Sequence, residues 1–414
     1  MIKHIITCVN CGKEFTSEQM HYTCDKCGDI AGTLEITYNY DQIKPVLTQA
    51  QLEQNRLQNI FRYLPLLPIG KENVITGLRI GMTPLSENIT LAQEYNVANL
   101  YLKDDSFNPS LTLKDRASAI SLIKAREFGY RTVATASTGN AAASMACLGA
   151  HMGLQTVIFV PESIPPAKRL QLQVYGAKIV IVKANYDAAF DLFRQVSQEK
   201  NWYNRSTAIN PYNIEGKKTV AFEICEQLDF KVPDLIFVPV GDGSIISGVW
   251  KGLKDFYRIG LIDHLPRLVA CQSEGSAAIA NAFKTGQDQP LPVKAGTLAD
   301  SISVDLPRDG VKAVRALRES QGDAVTVNDP SILQAQQILA RQTGIFCEPS
   351  AAAAFAGFQK YHTEGKLRAA DRILLLLTGS GMKDLASAEK GLTQKTEIIV
   401  DPVHDDVHKK LEHF

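Results

Sequence analysis

The 414-residue chain lacks an excess of charge, a long apolar run and a leader-like N-terminus. Lysine plus arginine and aspartate plus glutamate each number 44, so no basic field is available for nucleic acid or anionic lipid. The apolar runs, such as ILLLL at 373–377, are far shorter than the roughly 18 residues of a membrane helix. Cysteine and polar residues come too early in MIKHIITCVNCGK for a secretory signal. These absences predict a cytoplasmic protein with no membrane or nucleic-acid partner.

What is present is an ordinary globular composition, with 45% hydrophobic and 21% charged residues. At about 150 residues per domain, the length predicts two or three domains with buried cores. Near the C-terminus, His404 and His408 stand four residues apart. That spacing would suit a metal ion only on a helix, and a solvated surface helix is the favoured interpretation.

Half of the eight cysteines form two Cys-x-x-Cys pairs near the N-terminus, and a glycine directly follows each pair. Paired knuckles of this kind are typical of a tetrahedral zinc ribbon, with a metal-free remnant as the alternative. Four thiolates would fill the coordination shell, so the zinc is expected to be structural. The predicted ligands, within a zinc-ribbon-like segment spanning residues 1–34, are Cys8, Cys11, Cys24 and Cys27.

The rest of the chain, residues 35–414, is predicted to form an α/β body. Residues 38–80 lack a clear period and are expected to add a helical extension to it. Beyond them, apolar strands alternate with helical patterns such as Asp115 to Phe128, which indicates parallel sheets covered on both faces. The candidate strands are 99–105, 132–137, 156–163, 178–184, 234–240, 267–274 and 372–378.

Chemistry is expected where such strands end, because ligands bind at the carboxyl ends of parallel strands. In SFNPSLTLKDRASA, Lys114 opens a helix, where the dipole favours the neutral amine that a Schiff base requires. A surface lysine paired with Asp115 is the alternative. ASTGNAAAS provides a turn at a helix N-terminus that suits an anion, and PVGDGSIISG could hold a phosphate on its amides. In LLTGSGMKD, Thr378 ends a buried strand at the same edge.

In order along residues 80–385, six segments resemble the pyridoxal-phosphate enzymes of fold type II, and most closely the threonine synthase family. The six segments are SLTLKDR, ASTGNAAAS, INPYNIEGKKTVAFEI, PVGDGSIISG, GIFCEPSAAAA and TGSGMKD. The resemblance implies two parallel-sheet lobes with the cofactor between them, and residues 117–212 as the smaller, mobile lobe. It also implies a homodimer and a small amino-acid substrate.

The resemblance further implies roles for individual residues. Lys114 would hold the cofactor through a Schiff base and later move the substrate's protons. Asn140 would bond the cofactor's 3-hydroxyl group, and Thr378 would face the pyridine nitrogen. The cofactor phosphate would lie on Gly241, Asp242, Gly243, Ser244 and Ile245, with Asp242 turned away from it.

The substrate carboxylate would bind at Ser137, Thr138 and Gly139. The family's phosphate clamp maps onto the segment that includes Asn213 and Lys217, but Asn213 replaces an arginine. Losing that charge-assisted contact should cost about 1.5–3 kcal/mol. Lys217, Lys218 or Arg205 could substitute for it, but a flexible ammonium group does not reproduce the fork of the lost arginine. Phosphohomoserine turnover is therefore expected to be weak or absent.

The function implied is a lyase that performs elimination or replacement, with O-phosphohomoserine conversion to threonine and phosphate as the first named activity. The alternatives are a serine/threonine dehydratase-type ammonia-lyase and a β-replacement synthase that forms cysteate or diaminopropionate. A non-catalytic paralogue conflicts with the presence of Lys114, Asn140 and Thr378. A nucleic-acid-binding ribbon conflicts with the acidic residues in that segment.

Overall fold

The computed structural model describes residues 4–392, 397–402 and 411, so His404 and His408 lie outside the described residues. Over those ranges, none of the helices combines the length and the apolar character needed to cross a bilayer. The strands are β1 (His4–Cys8), β2 (Glu14–Phe15), β3 (Leu34–Tyr38), β4 (Leu85–Glu87), β5 (Asn99–Asp104), β6 (Thr132–Ala136), β7 (Gln155–Pro161), β8 (Lys178–Val182), β9 (Tyr203–Asn204), β10 (Leu235–Pro239), β11 (Arg267–Ser273), β12 (Asp323–Val327) and β13 (Arg372–Leu377).

The larger sheet has six strands in the order β12-β11-β10-β13-β5-β4. Five of them run parallel, and only the edge strand β4 is antiparallel to its neighbour β5. β13, with sequence RILLLL, is buried on both faces from Ile373 onward because it lies between β10 and β5. The sheet is therefore the parallel α/β layer that the sequence predicts, with one antiparallel strand added at its edge.

The smaller sheet is fully parallel, with the order β8-β7-β6-β9. Its strands fall between Thr132 and Asn204, inside the span 117–212 that the resemblance assigns to a mobile lobe. The two parallel sheets are those expected from the sequence, while the movement of this lobe stays a prediction.

The N-terminal segment forms a third, antiparallel sheet in the order β2-β1-β3. The expected boundary at residue 34 falls on the first residue of β3, so this sheet continues to Tyr38. Tyr22 accepts a hydrogen bond from the backbone N–H of Asn204 (2.8 Å), and the carbonyl oxygen of Leu34 accepts one from Lys312 Nζ (2.9 Å). The N-terminal sheet therefore contacts both the smaller and the larger parallel-sheet lobe.

The helices cover the parallel sheets. Residues 38–80 carry short helices, as expected for an extension of the body. The α-helices are α1 (Gly28–Ala31), α2 (Tyr40–Ile43), α3 (Gln49–Gln54), α4 (Ile89–Glu94), α5 (Lys114–Glu127), α6 (Asn140–His151), α7 (Pro166–Val174), α8 (Tyr186–Glu199), α9 (Tyr212–Lys217), α10 (Thr219–Gln227), α11 (Ser244–Ile259), α12 (Ala278–Lys284), α13 (Gly310–Glu319), α14 (Asp329–Thr343), α15 (Pro349–Thr363) and α16 (Leu385–Gly391).

Candidate active site

Lys114 is the first residue of α5 and lines a cavity of about 480 Å³. The chain just before it is fastened to the end of β13, because the N–H of Leu113 donates to the carbonyl oxygen of Thr378 at 2.9 Å. The hydroxyl of Thr112 donates to the same oxygen. This tie brings the helix start and the end of the central strand together, as the sequence predicts for Lys114 and Thr378.

The cavity also brings together all of the residues expected to hold a cofactor. Its walls include Asn140, Thr378 and the loop 241–245. A second cavity of about 440 Å³ shares Asn140 with the first and extends to Thr138 and Gly139. The expected cofactor residues and part of the expected carboxylate site therefore line two adjoining cavities.

Lys114 has the electrostatic surroundings of a reactive amine. Burial lowers the pKa of its amino group, and the nearby Arg205 guanidinium lowers it further, to about 8. Within the described residues no carboxylate lies within 4 Å of Lys114 Nζ, so the alternative of a lysine paired with Asp115 is wrong. The Asp115 carboxylate instead accepts hydrogen bonds from the backbone N–H and hydroxyl of Ser110. A substantial neutral fraction of Lys114 near pH 8 suits attack on an aldehyde.

The loop 241–245 joins β10 to α11 and has no room for larger side chains at its glycines. A Cβ on Gly241 would come within 2.7 Å of the Cα of Ile302, and Gly243 has φ +87°, a conformation that favours glycine. Gly243 precedes the first residue of α11, so the backbone amides of a sixteen-residue helix begin here. Such a loop is a cradle for a phosphate group.

Two carboxylates lie at this loop, the partly buried Asp242 within it and the fully buried Asp309 beside it. Asp242 accepts a hydrogen bond from the backbone N–H of Arg308 at 2.7 Å, and the hydroxyl of Ser244 donates to Asp309. Burial, assisted by the charge of Asp309, raises the pKa of Asp242 to about 7. Ser244, expected to bind the cofactor phosphate, is thus bonded to a carboxylate here.

The turn 137–139 lies between β6 and α6, where the sequence predicts a carboxylate site. The backbone N–H of Gly139 donates to the hydroxyl of Ser137 at 3.3 Å, and α6 begins at Asn140. The helix dipole at this N-terminus favours an anion. The position agrees with the expectation for Ser137, Thr138 and Gly139, whose role in binding substrate stays a prediction.

Asn140 bonds to two residues that the sequence analysis missed. Its Nδ2 donates to the two carboxylate oxygens of Glu348 at 3.0 and 2.9 Å, and to the hydroxyl of Ser301 at 3.1 Å. Burial raises the pKa of the Glu348 carboxyl. Glu348 precedes Pro349 in the segment GIFCEPSAAAA and could have been found as a buried acid at a helix start, whereas Ser301 gives no sequence signal.

Asn213 and Lys217 differ in what they contact. Asn213 Nδ2 donates to the carbonyl oxygens of Arg205 (3.2 Å) and Ser206 (3.1 Å), so this side chain supports the segment that carries Arg205. Lys217 is fully buried, and its Nζ has no hydrogen-bond partner within the described part of the chain. The neighbouring Lys218 forms ion pairs with Glu215 and Asp255, so it is not free to bind an anion.

Arg205 is also fully buried, and among the described residues its guanidinium donates only to uncharged oxygens. These belong to the hydroxyls of Ser118 and Thr207 and, at 3.5 Å, to the backbone carbonyl of Lys114. Burial lowers the pKa of Arg205 to about 10. We call Lys114, Arg205 and Lys217 the unpaired cluster, since none of the three forms an ion pair within the residues described.

The four N-terminal cysteines are brought together as predicted. Their sulfur atoms all lie within 4.8 Å of one another, and those of Cys11 and Cys24 are 3.8 Å apart. Zn–S bonds of about 2.3 Å in a tetrahedron place sulfur atoms about 3.8 Å apart. Gly12 and Gly28, which follow the two pairs, have φ +73° and +72°. The cluster has the donors and dimensions of a four-thiolate metal site.

The cavity residues fit pyridoxal phosphate. Lys114 supplies an amine with a lowered pKa, and the loop 241–245 supplies a glycine cradle. Lys217, which is not one of the wall residues, supplies a buried nitrogen with no hydrogen-bond partner among the described residues. A sequence profile of the family described as pyridoxal-phosphate dependent enzyme matches residues 77–379, which contain all three features.

Similar proteins include the threonine synthase of Methanocaldococcus jannaschii, 38% identical over 95% of this chain and 96% of that protein. The threonine synthase of Methanosarcina acetivorans is also 38% identical, over 92% of each chain. That of Mycobacterium tuberculosis is 33% identical over 83% of this chain and 93% of its own.

Among solved structures, the fold is similar to that of maize serine racemase, with a TM-score of 0.65 and 24% identity over 74% of this chain and 90% of that one. It is equally similar to the processed threonine deaminase isoform 2 of Solanum lycopersicum, with a TM-score of 0.65 and 23% identity over 75% and 82% of the two chains. These structures support the fold-type-II architecture, and the sequence relatives define the family more narrowly. The chain is a pyridoxal-phosphate-dependent lyase that belongs to the threonine synthase family.

Proposed function

We propose that the protein converts O-phosphohomoserine and water into threonine and phosphate. In this reaction the C–O bond at the γ-carbon breaks and releases phosphate, the β-carbon loses a proton and gains a hydroxyl group from water, and the γ-carbon gains a proton. The relatives that match nearly the whole chain are named threonine synthase. The structural observation that carries the proposal is Arg205, a buried guanidinium without an ion-pair partner in the described chain.

Arg205 supplies the phosphate-binding charge that Asn213 lacks. The substitution at position 213 predicts weak turnover of phosphohomoserine, but it does not remove every guanidinium from this segment. Asn213 bonds the backbone carbonyl of Arg205 and so positions the residue eight places earlier. Arg205 is an arginine rather than a lysine, so it can present the planar fork that suits a phosphate.

The positions of the other site residues indicate their roles in this reaction. The amides at the start of α6, with Ser137 and Thr138, bind the substrate carboxylate. When bound, pyridoxal phosphate withdraws electrons from the substrate's α-carbon. Lys114, whose amine has a lowered pKa and lies at the cavity wall, takes and returns protons at the substrate carbons. Thr378, a hydroxyl rather than a carboxylate, does not hold a ring nitrogen protonated, which suits elimination and replacement.

The test is a product assay on the purified holoenzyme with O-phosphohomoserine, serine and threonine. Release of equal amounts of threonine and phosphate from O-phosphohomoserine supports the proposal. Release of keto acid and ammonia from serine or threonine, without threonine formation, would instead identify the ammonia-lyase alternative and refute it.

Arg205→Gln isolates the residue that carries the proposal. We expect KM for O-phosphohomoserine to rise about ten- to a hundredfold, because a charge-assisted bond contributes about 1.5–3 kcal/mol. Arg205→Lys keeps the charge but not the planar fork, so its KM should lie between those of the wild type and Arg205→Gln. An unchanged KM in both variants would remove Arg205 from the substrate site.

We also propose that the four-cysteine cluster holds a structural zinc ion. The 3.8 Å distance between two of the sulfurs and the two glycine turns support this. Elemental analysis of protein purified without added metal should find about one zinc per chain, and Cys24→Ser should reduce it. If the wild type contains no zinc and Cys24→Ser is as stable as the wild type, the segment is a metal-free remnant of a zinc ribbon.

Finally, we propose that the protein works in the cytoplasm as a homodimer on a small amino acid. Exposed apolar side chains, among them Phe107, Val174 and Met382, support a dimer surface. Their three segments are tied together by Lys383, which donates to the carbonyl oxygen of Ser110 and to Gln171. Sedimentation of the wild type and of Val174→Asp tests this, with a monomeric variant expected.

A further inference from the structure

Lys217 is the last residue of α9 and is the buried lysine that the described structure leaves without a bond. Other fully buried lysines have carboxylate partners: Lys103 bonds Glu223 at 2.8 Å, and Lys218 bonds Asp255 at 2.7 Å. Lys217 has no exposed surface, and its Nζ meets neither an acceptor nor solvent. Burying an amine in this way is unfavourable unless a ligand provides the missing acceptor.

Lys217 lies close to the loop 241–245, which we call the cofactor-phosphate loop. α9 packs on α11, and a Cβ on Gly248 would approach the Cβ of Lys217 to 2.9 Å. Gly248 is one helical turn beyond Ser244, the first residue of α11. The absence of a side chain at Gly248 thus lets Lys217 lie against the helix that starts at this loop, within the electrostatic reach of Asp242 and Asp309.

The negative charge near the loop 241–245 explains why a cation is needed there. A phosphomonoester dianion on these amides would lie near the carboxylates of Asp242 and Asp309. Asp309 has one ammonium partner, Lys312 Nζ at 3.1 Å, whereas Asp242 has no ion pair in the described chain. The hydroxyl of Ser244 already donates to Asp309. The N-terminus of α11 carries only about half a positive charge, too little to offset the dianion and Asp242 together.

We infer that Lys217 binds the phosphate group of the cofactor as an ammonium ion and so compensates for the acidic residues at its phosphate loop. The resemblance placed Lys217 on the substrate side, but its packing against α11 favours the cofactor side. The ligand chemistry, a phosphomonoester, is common to the cofactor and to O-phosphohomoserine. The test therefore separates the two sources, and its cofactor arm needs no amino-acid substrate.

The experiment compares pyridoxal phosphate with pyridoxal, which has the same aldehyde but no phosphate. Apoenzyme is titrated with each ligand, and binding is followed by cofactor absorbance. In Lys217→Met we expect the affinity for pyridoxal phosphate to fall about ten- to a hundredfold while that for pyridoxal stays unchanged. The matched control is Lys254→Met on the outer side of α11, which should change neither affinity.

Two results would overturn the inference. An equal loss for both ligands would show that the substitution acts through the aldehyde site or the fold. Unchanged cofactor affinity combined with a higher KM for O-phosphohomoserine would place Lys217 at the substrate phosphate. If Lys217→Met does not fold, Lys217→Gln is measured in the same way, and a selective loss of at least fivefold for pyridoxal phosphate is expected.

Discussion

Two groups of buried charge begin at the same turn of α5 and have opposite character. Arg116 belongs to a group we call the paired cluster, in which it bonds Asp105 at 2.7 Å and also bonds Glu223, which Lys103 contacts as well. Its two positive and two negative side chains are fully buried, and each of them bonds at least one side chain of opposite charge. Two residues earlier, Lys114 belongs to the unpaired cluster with Arg205 and Lys217, where three cations have no carboxylate bond in the described chain.

The difference separates charge that stabilises the fold from charge that, in the functions proposed above, binds a ligand. Burial alone would raise the pKa of Glu223, but Arg116 and Lys103 outweigh it and hold the pKa at about 2. In the unpaired cluster burial prevails, and the pKa of Lys114 falls to about 8. The missing negative charges are those that a cofactor phosphate, a substrate phosphate and a substrate carboxylate would bring.

The largest expected effect comes from removing Lys114. Lys114→Ala should lower threonine formation by about 10³-fold or more, since no other group takes over its proton transfers. In the wild type, borohydride reduction followed by peptide mapping should label Lys114. Lys217→Met, measured at saturating cofactor, should keep that label. A label on Lys217 in the wild type would show that Lys217, and not Lys114, forms the Schiff base.

The next largest effect concerns stability and should appear only in the paired cluster. Glu223→Gln leaves Arg116 and Lys103 short of one negative charge and should reduce the free energy of unfolding by about 3–5 kcal/mol. In the wild type, the lowered pKa means that Glu223 contributes stability above about pH 4.5. That contribution is lost as the pH falls toward 2. Urea unfolding at pH 7 and at pH 3 measures both quantities.

Arg205→Met is the control for that prediction within the unpaired cluster. It removes a buried charge that has no ion-pair partner in the described chain, so stability should change by less than about 1–2 kcal/mol, the range for its hydrogen bonds to hydroxyls. A loss of stability as large as that of Glu223→Gln would contradict the distinction between the two clusters.

A smaller effect should be visible in the reactivity of the apoenzyme's amines. With a pKa of about 8, half of Lys114 is neutral at pH 8, compared with roughly 0.3% of an ordinary lysine of pKa near 10.5. Limited labelling with an acylating reagent, quantified by mass spectrometry between pH 6 and 10, should show Lys114 half-maximal near pH 8. A midpoint near 10.5 would show that burial and Arg205 do not act on it.

The smallest effect is expected for a pair that water reaches. Lys254 bonds Glu319 at 2.7 Å, and both side chains are partly exposed. Lys254→Met should change the free energy of unfolding by less than about 1 kcal/mol, because exposed ion pairs contribute little. Activity should be unchanged, and the same denaturant titration provides the measurement. If the free energy of unfolding fell by more than about 2 kcal/mol, burial would not explain why the paired cluster contributes more stability than an exposed ion pair.

The sequence predicts the parts of this molecule that depend on local pattern. All seven expected strands are present, each as a strand of one of the two larger sheets. β12 (Asp323–Val327) was not among the expected strands. β9 was missed because it has only two residues. The turn positions of Lys114, Asn140 and Gly243 followed from residue types that mark helix starts.

The sequence does not predict which buried charges are paired. Lys217 and Lys218 are adjacent lysines whose side chains leave the chain in different directions. Lys218 bonds Asp255, whereas Lys217 has no partner among the described residues. The bond between Asn140 and Glu348 joins residues more than 200 positions apart. Such contacts depend on how separate elements pack, which periodicity and spacing do not encode.

The N-terminal sheet has a mechanical consequence for the two lobes. One side of it bonds Asn204 of the smaller sheet through Tyr22, and another bonds α13 through Leu34 and Lys312. Lys312 in turn bonds Asp309, which accepts from Ser244 at the cofactor-phosphate loop. If the smaller lobe rotates as the sequence predicts, it would break the Tyr22 contact or displace the N-terminal segment. The cysteine-rich module thus has hydrogen bonds to the smaller sheet on one side and, through Lys312 and Asp309, to the loop 241–245 on the other.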